Sequence, residues 1–130
     1  MNAIYLCLPG SIRSKKNSKI ISTRGKFPRA FPSKAYKKWE IDARAEVLRF
    51  KAHFGYRPDL VTKLNVCIKA LFYYSGPEPD LSGCLESVGD CLQGLVYEND
   101  KQIYSWDGSR KIRVPVGQER TEVWITEFKE

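Results

Sequence analysis

The residues best suited to chemistry in this 130-residue sequence are carboxylates concentrated in one stretch. Between Ala70 and Asp100 there are six acidic residues and neither a lysine nor an arginine. They are Glu78, Asp80, Glu86, Asp90, Glu98 and Asp100. Carboxylate oxygens are the ligands that hard divalent cations such as Mg²⁺ prefer. This stretch is therefore a candidate cation-binding site.

The opposite charge is concentrated near the N-terminus. From Met1 to Trp39 there are ten basic residues and no acidic one, within a chain whose net charge is +7. The candidates for phosphate contacts in this segment are Arg13, Lys15, Lys16, Lys19, Arg24 and Lys26. Either feature alone is typical of a solvated surface, but the two together indicate a phosphate-binding surface beside a cation site. We expect the partner to be a nucleic acid.

Length and composition place limits on the rest of the protein. A chain of 130 residues with 42% hydrophobic side chains can bury one core, so we expect a single domain over residues 1–130. The apolar run Ala3–Leu8 is too short for a signal peptide, and no stretch is long enough to span a bilayer. These features favour a soluble, cytoplasmic protein without a membrane partner. The cysteines lack paired spacing and are predicted to be buried, reduced thiols: Cys7, Cys67, Cys84 and Cys91.

The elements that must position these charges begin with a strand and a helix. Alternation of apolar residues predicts a strand over Ala3–Leu8, ended by Pro9-Gly10. A basic loop follows over Ser11–Ala30, with a short hairpin predicted near Thr23–Lys26. A helix is then predicted from Lys34 to about Lys51. Ser33 is predicted to be the N-cap of this helix, and Tyr36 and Trp39 are predicted to belong to the core.

The second half of the chain predicts three more strands and one more helix. A strand with one solvated face is predicted over Val61–Tyr74, and a helix from Asp80 to near Gly94. We favour one long strand over Gln102–Val114, kinked at Gly108, rather than a hairpin at that glycine. A last strand is predicted over Thr121–Phe128. The order predicts an α+β fold, with a mixed β-sheet flanked by two main helices. On the second helix, a four-residue spacing predicts one polar stripe of Ser82, Glu86 and Asp90.

The run from Pro79 to Ile103 resembles the signature of the RusA family of Holliday junction resolvases. It reads PDLSGCLESVGDCLQGLVYENDKQI, against a common family form of PDLDNLLKAVLDALNGIVYEDDSQI. The match extends over 25 positions without a gap, and weaker similarity covers nearly the whole chain. The resemblance implies a RusA-like fold and an endodeoxyribonuclease that acts on four-way DNA junctions.

The resemblance also implies a cofactor, ligands and an assembly. The family's chemistry requires Mg²⁺ or a similar ion such as Mn²⁺, and the matching ligand positions here are Asp80 and Asp100. Water is then the attacking group, and the products carry 5′-phosphate and 3′-hydroxyl ends. Family dimers imply a homodimer whose symmetry matches that of the junction.

Four positions depart from the family pattern. Ser82 stands where the family has its second aspartate, and Gly83 stands where it has an asparagine. Glu86 replaces the family's lysine, and Asn99 replaces an aspartate of the corner. Ser82 remains a candidate weak ligand. Position 82 is neutral where the family is acidic, and position 86, one helical turn away, is acidic where the family is basic. We therefore hypothesise that Glu86 restores the missing carboxylate as a ligand and catalytic group. The alternative for Glu86 is a solvated helix residue.

Three functional classes remain open from the sequence. They are a metal-dependent nuclease for branched DNA, a DNA-binding relative that has lost catalysis, and an unrelated module that binds RNA or single strands. Aromatic residues interleaved with the loop lysines would favour the third class, and none occurs between Ser11 and Lys26.

We expect the loop lysines to neutralise DNA phosphates. Replacing Lys15, Lys16 and Lys19 with alanine is expected to weaken binding to any DNA and to reduce the slope of log affinity against log salt by roughly 0.9 per lost contact. Salt titrations of duplex binding measure this slope. An unchanged slope would show that these lysines do not contact phosphates and serve only solubility.

Overall fold

A computed structural model describes residues 2–14, 19–22, 29–32 and 34–130, with the side chains of residues 19–22 and 29–32 left out. The elements in chain order are β1 (Ile4–Pro9), β2 (Lys19–Ser22), β3 (Arg29–Pro32), α1 (Lys34–His53), β4 (Val66–Tyr74), α2 (Leu81–Leu92), a 3-10 helix (Asp100–Gln102), β5 (Ile103–Ser105), β6 (Arg110–Arg113) and β7 (Arg120–Glu127).

The main sheet is mixed. Its order is β1-β7-β4, with β5 and β6 both paired to the remaining edge of β4. The β1/β7 and β7/β4 pairs are antiparallel, whereas β5 and β6 run parallel to β4. Together with the two helices, this confirms the predicted α+β class and mixed sheet.

Both helices pack on the same face of this sheet. The side chains that β4 sends to that face, Val66, Ile68, Ala70 and Phe72, are at most 1% exposed. They join residues of β1, β7, α1 and α2 in one hydrophobic cluster. The opposite face of the sheet carries the outward-pointing side chains of the same strands.

The first helix matches its prediction closely. It ends at His53, two residues beyond the expected end, and Gly55 follows with a φ of 75°. The Tyr56 N–H bonds to the Lys51 carbonyl at 2.8 Å, as is common where a glycine in the left-handed region ends a helix. Tyr36 and Trp39 are 1% and 3% exposed, which confirms their place in the core. The predicted cap Ser33 lies outside the described residues.

The strand predicted from Val61 begins only at Val66. The prediction was wrong at this end because the backbone of the preceding residues bonds to side chains. The Gln102 side-chain amide donates to the carbonyls of Thr62 and Leu64, both at 2.9 Å, and the Leu64 N–H bonds to the Thr62 hydroxyl. Apolar alternation alone does not reveal such competition for the backbone.

The predicted long strand to Val114 is divided into β5 and β6, which follow the same edge of β4 in the same direction. Cys67 pairs with Ser105 and Leu71 pairs with Arg110. Between these two pairs the chain of β5 and β6 therefore contains one more residue than β4. Gly108 in the interruption has a φ of 84°, and the Ser109 hydroxyl accepts from the Ala70 N–H at 2.9 Å. The kink at Gly108 is confirmed.

The remaining predictions differ in smaller ways. β1 and β7 lie within one residue of their predicted bounds, and α2 ends at Leu92. The strands β2 and β3 pair antiparallel, as a hairpin requires, although its predicted turn at 23–26 lies outside the described residues. No helix in the described part of the chain has the length and apolar character needed to cross a membrane.

The cysteines are only partly as predicted. Cys84 and Cys91 are buried, and burial raises the pKa of both thiols, that of Cys91 to about 12. Cys67 is half-buried. Cys7 is exposed, so its predicted burial was wrong: alternation along β1 sends it to the opposite face from Leu6 and Leu8.

Candidate metal and nucleic-acid site

Asp80 occupies the N-cap position of α2, as predicted. Its φ and ψ of −77° and 125° are extended, and its carbonyl accepts from the Cys84 N–H at 3.0 Å. Among the described residues its carboxylate makes no capping bond to the first turn. Instead Oδ2 accepts from the Ser82 hydroxyl at 2.8 Å, and both side chains are exposed. The helix start thus presents a carboxylate and a hydroxyl together to solvent.

A cleft of about 260 Å³ opens beside Asp80. One wall is Ser11–Ser14, and the other is formed by residues of the loop from Tyr74 to Asp80. The first wall is fixed against α2, because the Ser87 hydroxyl donates to the Arg13 carbonyl at 2.7 Å. The exposed Arg13 side chain therefore belongs to a segment anchored at the same helix as Asp80.

Gly83 permits this anchoring. A β-carbon at that position would lie 2.4 Å from Oγ and 2.8 Å from Cβ of Ser14, closer than real atoms approach. Gly83, which stands where the signature that this run resembles has asparagine, thus permits the close approach of Ser14. Sequence reasoning noted the exchange but not its cause, since the contact joins residues distant in sequence.

Lys111 is a residue of this site that sequence reasoning missed. Its Nζ lies 3.0 Å from Oε1 of Glu78 and 3.1 Å from the carbonyl of Pro79, the residue before Asp80. The ammonium lowers the pKa of Glu78 through a hydrogen bond and its charge. Its position depends on the pairing of Phe72 with Lys111, which turns this lysine toward the helices. Such a register is not visible in a single sequence.

The corner that carries Asp100 is held by its neighbours. Asn99 caps the short 3-10 helix by accepting from the Lys101 N–H at 2.9 Å, while Gln102 Oε1 accepts from the Glu98 and Asn99 N–H groups. Asparagine and aspartate are similarly good caps, which explains how Asn99 can replace the family's aspartate. The Asp100 side chain is exposed at this corner.

One chain does not bring Asp80 and Asp100 together. The Asp100 N–H donates to Oε1 of Gln93, the C-cap residue of α2, at 3.1 Å, whereas Asp80 caps the opposite end. A helix of 12 residues separates these ends by about 18 Å. Metal–oxygen bonds of roughly 2 Å cannot bridge that separation within one chain.

Glu86 and Asp90, one helical turn apart on α2, differ in exposure. Glu86 is exposed, like Ser82, and lies about 6 Å from it along the helix axis. Asp90 is half-buried, and its charge contributes to the raised pKa values of Cys91 and of Tyr36 on α1. The predicted polar stripe is therefore exposed at Ser82 and Glu86 and half-buried at Asp90, since four-residue steps turn gradually around the helix. Among the described residues, no group of three or more His, Cys, Asp or Glu side chains is arranged to hold a metal ion.

The candidate phosphate-binding residues are described only in part. Arg13 borders the cleft, and Lys19 begins β2, where only the backbone is described. Lys15, Lys16, Arg24 and Lys26 lie outside the described residues.

Comparison with the models of known families and with curated protein sequences gave no match.

We expect Gly83→Ala to destabilise the protein by about 1–3 kcal/mol, because its methyl group would overlap Ser14. Gly89→Ala is the matched control: a β-carbon there would meet its nearest neighbour at 3.6 Å, and the gain in helix propensity is about 1 kcal/mol. Urea unfolding measures both. Adding Ser14→Gly should recover part of the loss at Gly83, and equal stability of the two alanine variants would disprove the clash.

Proposed function

We propose that this chain is a metal-dependent endodeoxyribonuclease of the RusA type that cuts four-way DNA junctions. The observation that carries the proposal is the cleft at the start of α2, where the exposed Asp80 carboxylate faces the segment that leads into the basic hairpin. The proposed cation site thus adjoins Arg13, a candidate for phosphate contacts. The 25-residue resemblance to the family signature, and the α+β fold with its mixed sheet, support the same activity.

The residues at this cleft fit a hard cation in type. Mg²⁺ is commonly held by one or two carboxylates together with phosphate oxygens of the substrate. Asp80 and Ser82 offer oxygen atoms of this kind, and the hydroxyl of Ser82 orients one carboxylate oxygen. The bound ion, Mg²⁺ or Mn²⁺, would supply a water of lowered pKa and a clamp for the scissile phosphate.

The other residues of the cleft act on the substrate. The guanidinium of Arg13 binds and orients phosphate, for which its planar set of donors is suited. Lys111 adds positive charge close to Asp80. It does so from β6, whereas the family's lysine lies on the helix at the position of Glu86. Water attacks the phosphorus and displaces the 3′ oxygen, which takes up a proton and leaves as the 3′-hydroxyl, so the chain needs no covalent nucleophile.

A second copy of the chain supplies Asp100 in this proposal. Because Asp80 and the Asp100 corner lie at opposite ends of α2, whose length is about 18 Å, the corner of one protomer must meet the cleft of its partner for the two carboxylates to share an ion. A two-fold dimer then contains two shared sites. The two equivalent strands of a four-way junction call for this symmetry.

A second candidate is a junction-binding relative that does not cleave DNA. It is favoured by the reversal of charge at Glu86, since an ammonium near the reacting phosphate would stabilise the transition state whereas a carboxylate would oppose it. Titration with Mg²⁺ or Mn²⁺ separates the two candidates, because only the nuclease needs the ion.

Asp80→Asn and Asp100→Asn are each expected to abolish nicking of a synthetic four-way junction and to leave junction binding in place, because each removes a metal ligand. If the site is shared, mixing the two inactive variants restores about a quarter of the parental nicking: half of the random dimers are mixed, and each mixed dimer has one intact site.

Asp107→Asn is the control, since Asp107 is an exposed aspartate of the turn between β5 and β6. It should cut like the parent. Failure of the mixture to regain activity would show that Asp80 and Asp100 do not complete one site across two chains. Retained cutting by both single variants would show that these aspartates are not the metal ligands.

Glu86→Gln is expected to weaken Mn²⁺ affinity and nicking together if Glu86 replaces the carboxylate lost at Ser82. The motivation is the exposed position of Glu86 about one helical turn from Ser82. The double variant Ser82→Asp with Glu86→Lys, which restores the family pattern, should cut at least as well as the parent. Isothermal titration with Mn²⁺ and a nicking assay measure the two effects. Parental behaviour of Glu86→Gln would make Glu86 a solvated surface residue.

A further inference from the structure

The sheet face opposite the helices carries aromatic and basic side chains. Alternation along β1, β4 and β7 sends the core residues to the helices and their neighbours to this open face. The aromatic residues that strand register and ring contacts assign to it are Tyr5, Tyr73, Tyr104, Trp124 and Phe128, and the cations are Lys69, Arg110 and Arg120. We use "open face" for this set.

Two cross-strand rows bring rings and cations into contact. In the first row Tyr5 pairs with Trp124, ring centroids 5.1 Å apart, and Lys69 Nζ lies 5.2 Å from the Trp124 ring. In the second row the Arg120 guanidinium lies 3.9 Å from the ring of Tyr73. The rows are four residues apart along β7, or about 13 Å.

Glu122 lies between the rows and orients the rings. Its carboxylate accepts hydrogen bonds from the hydroxyls of Tyr5 and Tyr73, and it lies 3.7 Å from Arg120. The bond from Tyr5 lowers the pKa of Glu122 and raises that of Tyr5 to about 12. Gly108 packs on the stem of Lys69, since a β-carbon there would lie 3.3 Å from Cδ. Both aromatic rows are therefore held in place before any ligand binds.

Rings and cations in this arrangement are suited to unpaired nucleotides. Bases stack on aromatic side chains, and lysine or arginine beside them neutralises phosphates. The bases of a duplex already stack on each other, so a ring on a protein surface gains little from them. Three cations, Lys69, Arg110 and Arg120, and one carboxylate, Glu122, give this face a net positive charge. This charge favours binding of a polyanion and opposes contact with the same face of a second copy.

Cross-strand aromatic pairs and cation–ring contacts also occur on solvated sheets without any ligand. Here the rings remain at least partly accessible: Tyr5 is 44% exposed and Tyr104 is 56% exposed, and Tyr73 and Trp124 are half-buried. Both helices lie on the other face, so neither helix covers these rings in the described part of the chain.

We propose that the open face binds single-stranded DNA, with bases stacked at the Tyr5–Trp124 and Tyr73 rows and phosphates at Lys69 and Arg110. This goes beyond the proposed nuclease activity, because it involves the face of the sheet opposite α2 and requires no metal ion.

The test is binding of a labelled oligothymidylate of about 12 nucleotides, in chelator, followed by fluorescence anisotropy; surfaces of this kind cover roughly 4–16 nucleotides. The parent should prefer this strand to a duplex of equal length. Trp124→Ala and Tyr73→Ala should each weaken single-strand binding roughly 5- to 150-fold, because each removes one stacking surface. Lys69→Ala should reduce the salt slope by about 0.7.

The controls lie on the helix side of the molecule. Phe54 is 60% exposed at the end of α1, and the Lys38 side chain is 79% exposed on the same helix, so Phe54→Ala and Lys38→Ala should bind the strand like the parent. Trp124→Phe and Tyr73→Phe keep a ring and should retain most of the affinity, which separates stacking from loss of folding.

Parental affinity of folded Trp124→Ala and Tyr73→Ala would overturn the proposal, and so would a parent that prefers duplex. A change in solution mass on substituting the open face, with single-strand affinity unchanged, would make this face a contact between copies and would also overturn it. Because catalysis is absent from these measurements, their failure and the failure of the nuclease proposal are separate outcomes.

Discussion

The burial of α2 against the sheet determines where every candidate residue of the metal site can lie. Cys84, Val88, Cys91 and Leu92 are fully buried along one side of this helix. Burial of such side chains contributes on the order of 1.5–3 kcal/mol for each of the larger ones, so the helix is firmly held. Its two ends are consequently fixed points, with the cleft at one and the Asp100 corner at the other. The proposal of a site shared between two protomers rests on this constraint.

The sequence predicted those parts of the fold that depend on local patterns. The helix start at Asp80, the core positions Tyr36 and Trp39, and the kink at Gly108 all follow from periodicity or turn chemistry. The start of β4 could not be predicted in this way, because the Gln102 side chain takes the carbonyls that a neighbouring strand would otherwise bond. Competition between a side chain and a strand is a tertiary effect, and no local pattern records it.

The same limit explains what was missed at the candidate site. Lys111 reaches the helix start only because β6 pairs with β4 in one particular register, and Ser14 meets Gly83 only after the segment from Ser11 folds against α2. The distance between the two predicted ligands was equally hidden. A gapless run in sequence gives the order of residues along α2, whereas the distance from Asp80 to Asp100 depends on which way the chain turns after α2.

The two proposed surfaces meet at β6. Arg110 and Lys111 are consecutive, so their side chains point to opposite faces of the sheet: Lys111 to the start of α2, and Arg110 to the open face. β6 is also an edge strand, paired on one side with β4. If both proposals hold, a nucleic-acid strand that passed around this edge from Arg110 to the start of α2 would meet a cation on each side of β6. Coulombic attraction at both points favours one continuous strand over two independent ligands. A branched DNA, in which unpaired and paired segments adjoin, presents the shape that such a path requires.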